Sequence, residues 1–405
     1  MVNQKKLLVV SYFFPPASII GAVRITKFVK YLLRFGWDIT VLTVKEEYYD
    51  NYDFESLKDV QGAKIIRTKV IKPIKCLRER GLYWLPYLNI ELKKLLSKER
   101  FDISLWTGNP FYHWILAPKF KREYGLFYVL DFRDEWSLSK VVKKWYGTKF
   151  FKLKRFIDVK ISEIIEPKIV NQASAIINVT DELTELYKNR YKDLVPENNF
   201  YTIYNGFDLE ELPKKKSKKC YYFKIVYAGR FAKFIFPFAF FEALNNFINE
   251  RKLKPEEIKF IWVGEKEKDV IEFLDKINLN EYVVFIEHRP YKEALELIEN
   301  ADVGLLIVGR FTEASTKLFD YIALKKTILL ISDEEARAVK IAREYGNAKI
   351  VKNNINEIKD AIAELFDKRF LGKINEKVLE FYNREYQAKK LEYIMNKIIE
   401  NNKGY

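Results

Sequence analysis

What most limits the architecture open to this chain is a steady alternation of short apolar runs with longer amphipathic ones. The apolar runs of the first half are about Lys6 to Tyr12, "WDITVLTV" (Trp37 to Val44), "FDISLWTG" (Phe101 to Gly108), "LFYVLDFRD", "ASAIINVT" (Ala173 to Thr180) and "FYTIYNGFD" (Phe200 to Asp208). Helix-like stretches lie between them, from about Gly21 to Phe35, near Pro110 to Glu123, and through about residues 150 to 171. A strand that is apolar on both faces must be covered on both faces, and parallel strands joined by crossover helices achieve this. The alternation therefore predicts a doubly wound α/β sheet.

The pattern breaks once. "LEELPKKKSKKC" (Leu209 to Cys220) is polar, basic and holds a proline, which marks a linker or domain edge. Beyond it the alternation restarts with "YFKIVYAG", "IKFIWVG", "YVVFIEHRP", "ADVGLLIVG", "KTILLIS" and "AKIVKN". The last segment, Ile374 to Ile399, reads as helical. Two tandem Rossmann-like domains follow, 1–208 and 209–381, in a chain whose 405 residues suit two domains.

Composition narrows the setting. The chain carries 71 Lys and Arg against 56 Asp and Glu, a net charge of +15. Such a balance suits an anionic partner, although a lysine-rich proteome would produce it as well. Nucleic acid is not the expected partner, because the cations are spread over two α/β domains and no groove-reading module appears. Cys76 and Cys220 lack metal-ligand company and make no disulfide framework, which fits a reducing, cytoplasmic compartment. No apolar run approaches the roughly 20 residues of a membrane span. Lys5 and Lys6 before an apolar run would also begin a signal peptide. That run is short, however, and no small-residue cleavage site follows it.

The stretch "LLVVSYFFPPASIIGAVR" (Leu7 to Arg24) sends a core strand into Pro15 and Pro16 and then into a helix. Ligands of doubly wound sheets bind at the carboxyl ends of strands, near helix N-termini. Gly21 lets backbone approach a ligand, and Arg24, near the start of the helix, would meet an anion there. A tight turn beside a surface arginine is the plainer alternative.

Several stretches together resemble one family. "VVSYFFPPASIIGAVRITKFVKYLLRFGWDITVLT", "DFRDEW" (Asp131 to Trp136), "YNGFD" (Tyr204 to Asp208), "STKLFDYIALKKTILLI" (Ser315 to Ile331) and "FYNREYQAKKL" (Phe381 to Leu391) occur in this order. They resemble the retaining, glycogen-synthase-like family four of GT-B glycosyltransferases. The resemblance implies two Rossmann-like domains with a cleft between them and a C-terminal helix, about 382–405, that crosses back to the first domain. It implies an acceptor-binding first domain and a second domain that binds a nucleotide-sugar donor, which is a substrate and not a cofactor.

The resemblance also assigns chemistry. Negative charge grows on the departing diphosphate and needs preorganised cations. No Asp-x-Asp occurs, so no metal is expected. "YAGRFAKF" offers Arg230 and Lys233 after Gly229, with a spacing shorter than the family's usual one. Free N–H groups of Ser315, Thr316 and Lys317 would bind phosphate oxygens at the start of the donor helix. Asp320 stands where the family has its second Glu, an acceptor for ribose hydroxyls. The family's first Glu falls on Thr312, so either that contact is lost or Glu313 beside it substitutes. His113 lies near the family's sugar-contacting histidine, and His288 near the path of the base. Asp131, Arg133 and Asp134 either contact the acceptor or form an internal Arg–Asp pair.

Two stretches lie outside the family pattern. "IKPIKCLRERGLYWLPYLNIELKKLL" (Ile71 to Leu96) mixes cations with Tyr83, Trp84 and Tyr87. In "KKWYGTKFFKLKRFIDVKI" (Lys143 to Ile161), Tyr146, Phe150, Leu153, Ile157 and Ile161 recur at helical spacing. Basic amphipathic segments of this kind lie in membrane interfaces, so an anionic membrane surface and a lipid-linked or polysaccharide acceptor are expected. Peripheral attachment to the inner face of the plasma membrane would follow. A core stripe with a solvated cationic edge explains the same pattern. Three rival functions share the fold: a nucleotide-sugar epimerase, an inverting transferase using His113 or Asp134 as base, and a degenerate transferase kept as a binding partner.

Overall fold

The computed structural model describes residues 4–71, 80–138, 149–214, 222–231, 237–287, 289–309, 314–369 and 372–402. The chain forms two compact units, one of residues 1–204 with 384–405 and one of residues 205–383.

Unit 1 is built on a 7-stranded sheet in the order β3-β2-β1-β4-β5-β6-β7, with every adjacent pair parallel. The strands are β1 (Lys6–Ser11), β2 (Asp38–Val44), β3 (Lys64–Thr68), β4 (Ile103–Gly108), β5 (Tyr128–Phe132), β6 (Ala175–Asn178) and β7 (Phe200–Thr202). Strand β3 carries Lys64 and Arg67 and sits at the sheet edge, where a strand tolerates charge, so its apolar signal is weak. Helices α1 (Ile20–Arg34), α2 (Arg80–Leu96), α3 (Ala117–Tyr124), α4 (Lys149–Val170) and α5 (Asp181–Tyr191) connect the strands. Thr180 starts α5 by accepting from the Leu183 amide at 3.3 Å.

Side chains alternate along β1 as the two-residue period of a strand requires. Leu7 and Val9 join Ile25, Val29 and Leu32 of α1 on one face. Leu8 and Val10 join Trp84, Leu88 and Leu92 of α2 on the other. Both faces are thus covered, as the continuous apolar strands predicted.

Unit 2 repeats the plan with a 6-stranded parallel sheet, β10-β9-β8-β11-β12-β13. Its strands are β8 (Phe223–Ala228), β9 (Ile258–Val263), β10 (Val283–Ile286), β11 (Val303–Ile307), β12 (Thr327–Ile331) and β13 (Ala348–Val351). Its helices are α6 (Phe238–Arg251), α7 (Lys268–Lys276), α8 (Tyr291–Glu299), α9 (Thr316–Ala323), α10 (Arg337–Tyr345), α11 (Ile355–Lys368) and α12 (Glu376–Phe381).

The expected terminal helix is two pieces, because α12 stops and α13 (Arg384–Asn401) begins after Tyr382 and Asn383. Helix α13 belongs to unit 1, so the chain does cross back. Ala388, Leu391 and Met395 enter the same core layer as α1. Trp37 donates to Glu392 at 3.0 Å, and the Tyr204 amide donates to Gln387 at 3.0 Å. The run "FYTIYNGFD" leaves its strand after Thr202. At Gly206 any Cβ would strike the Tyr382 carbonyl, because the outgoing and returning segments run side by side there. Phe207 donates its amide to Tyr382 at 3.2 Å.

In each sheet the winding reverses direction at one place, between β1 and β4 in unit 1 and between β8 and β11 in unit 2. Such a switch point opens a crevice outside the carboxyl ends of the two strands.

Candidate functional site

At the switch point of unit 2, β8 runs into Gly229 and Arg230. Gly229 has φ +132 and Gly264, just past β9, has φ +150, both in the region that disfavours side chains. The two strand ends are pinched together: the Gly229 amide donates to Val263 at 2.7 Å, and a Cβ on Gly264 would lie 2.5 Å from the Gly229 carbonyl oxygen. The Tyr227 and Phe231 rings stack at 4.0 Å, and the Tyr227 hydroxyl donates to the Arg230 carbonyl at 3.0 Å. The backbone of Arg230 is therefore held while its side chain stays open, 62% exposed. Its Nε donates to Glu267 at 2.5 Å and Nη1 lies 3.8 Å from Glu265. The Glu267 hydrogen bond raises its pKa further. An ion pair this exposed is weak, and a phosphate offers the guanidinium a better partner.

Facing this strand end is the first turn of α9. Its N-cap residue, Ser315, is extended and its side chain makes no capping bond. The Ser315 hydroxyl is buried without a hydrogen-bond partner. Thr316 opens the helix, and no acidic residue lies in its first turn. The Lys317 side chain reaches back over β8, so that a Cβ on Gly229 would meet its Cε at 2.6 Å and its Nζ at 3.1 Å. Lys317 Nζ stands 5.0 Å from the Tyr227 ring centre. One turn on, Asp320 is buried and its Oδ1 accepts from the Tyr291 hydroxyl at 2.6 Å. Tyr291, the first residue of α8, carried no signal in the sequence, and neither did Glu265 or Glu267. Lys233, His288 and Glu313 lie outside the described residues.

At the switch point of unit 1 the structure corrects the expectation for Arg24. The residue is 2% exposed, and its guanidinium makes a two-armed bond to Asp131, with Nε to Oδ1 at 3.1 Å, Nε to Oδ2 at 3.2 Å and Nη2 to Oδ1 at 2.9 Å. Nη1 donates to the Tyr204 carbonyl at 3.1 Å, and Thr107 donates to Asp131 at 3.1 Å. Arg24 thus ties α1 to the centre of the sheet and is not presented to an anion. The internal Arg–Asp pair of "DFRDEW" exists, but its arginine is Arg24. Arg133 serves as a brace between loops, donating to the carbonyls of Gly21, Gly108 and, at 2.6 Å, Asn109. A Cβ on Gly21 would collide with the Arg133 guanidinium, which explains that glycine. Asp134 is half-buried in the loop after β5.

His113 lies in a 3-10 turn (Tyr112–Leu116) after β4. It is fully buried between Trp84, 5.2 Å away, and Trp106, 6.1 Å away. Neither ring nitrogen has a hydrogen-bond partner. Burial first, and the Arg133 charge second, pull its pKa down to about 3. A neutral imidazole with a proton affinity this low is a poor general base at neutral pH.

The aromatics of α2 are divided. Tyr83 and Trp84 are core, with Trp84 donating to Thr68 at 2.7 Å, whereas Tyr87 and Ile90 are exposed. The periodic stripe on α4 is not core where its side chains are described: Phe156, Ile157, Ile161 and Ile164 are exposed, and Lys160 and Lys168 are exposed beside them. No helix among the described residues is long and apolar enough to cross a membrane.

The model of Glycosyltransferase Family 4 matches residues 21–211, just under half of the chain. No curated protein matches. Among solved structures, sucrose-phosphate synthase from Thermosynechococcus elongatus superposes with TM-score 0.73 at 14% identity, covering 98% of this chain and 100% of that one. The fold is that of GT-B glycosyltransferases. HepE from Anabaena, in complex with UDP and glucose, matches with TM-score 0.61 at 12% identity over 98% of this chain and 99% of that one. A putative UDP-N-acetylglucosamine 2-epimerase from Listeria monocytogenes matches with TM-score 0.62 at 12% identity, over 98% and 97%. The GT-B architecture thus hosts more than one nucleotide-sugar chemistry, and fold alone does not select among them.

Proposed function

We propose that this protein is a retaining, metal-independent glycosyltransferase. Unit 2 binds a nucleoside-diphosphate sugar at the carboxyl ends of β8 and β11, and unit 1 binds the acceptor. The observation that carries this reading is the meeting of Gly229 and Arg230 with the first turn of α9 at the switch point of the second sheet. A diphosphate there would face a guanidinium on one side and helix N–H groups on the other. Asp320, steadied by Tyr291, suits the ribose hydroxyls of the same nucleotide.

In the reaction, the bond from the sugar's anomeric carbon to the diphosphate oxygen breaks, and its electron pair leaves with the diphosphate. The acceptor hydroxyl oxygen forms the new bond on the same face. Its proton passes to the departing phosphate, so no protein base is required. That route suits a chain whose buried His113 is a weak base. The protein contributes position and charge.

The acceptor is lipid-linked or a polysaccharide, and the exposed isoleucines of α4 between Lys160 and Lys168 support docking at an anionic membrane surface. Flotation with anionic vesicles at low salt tests this, and absence of binding removes it. The donor reading is tested by calorimetry with UDP, GDP, ADP and dTDP, in EDTA and then with magnesium. Tight binding of one nucleotide in EDTA, lost in Arg230→Ala, supports it; no binding of any overturns it. The epimerase neighbour makes a second reading concrete. A nucleotide sugar isomerised without any acceptor would favour the epimerase.

A further inference from the structure

Two cations are wanted at the departing diphosphate, and only Arg230 of the expected pair lies among the described residues. A different lysine already stands at this strand end. We propose that the Lys317 ammonium, together with Arg230, binds the diphosphate of the donor; the inference rests on the donor-site reading above.

Four observations converge on Lys317. Its side chain turns away from solvent and lies across the end of β8, with its Cε and Nζ 2.6 and 3.1 Å from where a Gly229 Cβ would be. Gly229 is therefore needed twice, for its left-handed backbone and for the lysine's passage. The aromatic face of Tyr227, 5.0 Å from Nζ, helps to position the ammonium at the strand end. The same Tyr227 fixes the Arg230 backbone through its hydroxyl, so one ring organises both cations.

The third observation is electrostatic. Lys317 sits in the first turn of α9, where the helix presents partial positive charge, and no acidic residue shares that turn to offset it. The lysine charge and the helix polarity therefore add at this helix start, where both would attract a multiply charged anion. Leu318 to Ala323 of α9 are buried, and Lys317 is the one charged residue in the helix's first turn. The fourth is the Ser315 hydroxyl, buried at the same helix start with no partner of its own. It offers a donor to a phosphate oxygen beside the lysine. Lys317 is half-buried, which leaves it reachable by a ligand yet sheltered enough for its charge to count.

The test is calorimetric titration of the wild-type chain, Lys317→Met, Lys317→Gln and Lys317→Arg. The probes are whichever of UDP, GDP, ADP and dTDP binds the wild type best, the corresponding nucleoside, and inorganic pyrophosphate. Loss of one charge-assisted contact predicts about 10- to 100-fold weaker diphosphate binding in Lys317→Met and Lys317→Gln. Nucleoside affinity should be unchanged, and Lys317→Arg should recover most of the loss. Pyrophosphate should weaken in parallel with the diphosphate. Wild-type diphosphate affinity in Lys317→Met and Lys317→Gln overturns the inference while leaving the donor site intact. An equal loss of nucleoside binding also overturns it, since that is the signature of a packing role over Gly229 and Tyr227. If the wild type binds no nucleoside diphosphate, the donor reading itself has failed and this inference falls with it.

Discussion

Replacing Arg24 by methionine separates a structural arginine from a ligand-binding one. The Arg24–Asp131 pair is closed off from water on both sides, 2% and 0% exposed, and every arm of the guanidinium is engaged. Removing one member of a buried pair leaves the other charged, desolvated and uncompensated, at a cost of about 3–5 kcal/mol. In Arg24→Met the stranded Asp131 keeps only the Thr107 hydroxyl among its bonds named above, so the upper half of that range applies. In Asp131→Leu the stranded guanidinium keeps the Tyr204 carbonyl. The double variant removes both charges, and its loss should be well below the sum of the two, since an apolar pair of similar volume is tolerated. Equilibrium urea unfolding followed by tryptophan fluorescence is the assay. Among the described residues every tryptophan but Trp262 belongs to unit 1, so the signal chiefly follows that unit. A loss under about 1 kcal/mol in Arg24→Met, the range of an exposed pair, together with weakened anion binding, would refute the reasoning and return Arg24 to the ligand-binding role.

Other expectations follow from the same geometry. Glu166 is buried with Ser137 and Tyr191 as its partners, and burial raises its pKa from 4.5 to about 7. The folded state then holds this proton more tightly than the unfolded state. Stability should fall as pH rises from about 4.5 to about 7, by up to about 3 kcal/mol, and Glu166→Gln should flatten the curve in thermal melts across that window. Gly229→Ala places a side chain at φ +132 against Lys317, so nucleotide binding should drop while unit 1 melts as before, read by calorimetry and tryptophan fluorescence. Tyr291→Phe removes the hydroxyl that now bonds Asp320 at 2.6 Å, and discrimination between ribose and deoxyribose nucleotides should weaken by up to about tenfold. Unchanged discrimination would remove Asp320 from the ribose.

Much of this molecule was legible in the order of its residues, because periodicity is a local property. The alternation of apolar strands and amphipathic helices, its interruption after Asp208 and its restart at Phe223 imply two parallel, doubly wound sheets. The position of a loop at a strand's carboxyl end then confines ligands to a few loops. The resemblance to a glycosyltransferase family, and not periodicity, singled out Gly229, Arg230, Ser315 and Asp320. What remained hidden depends on partners far apart in the chain. Nothing near Arg24 shows that Asp131 will stand opposite it, and only the β4–β5 neighbourhood of β1 turns an apparent anion ligand into a buried strut. Nothing near His113 shows that Trp84 and Trp106 will enclose it. The reach of Lys317 across β8 likewise requires that β11 lie beside β8, a pairing set by the winding of the sheet. Sequence determined which elements form; tertiary packing decided which charges, those of Arg24 and Asp131 above all, are spent on one another inside the protein, because such partners lie far apart in the chain.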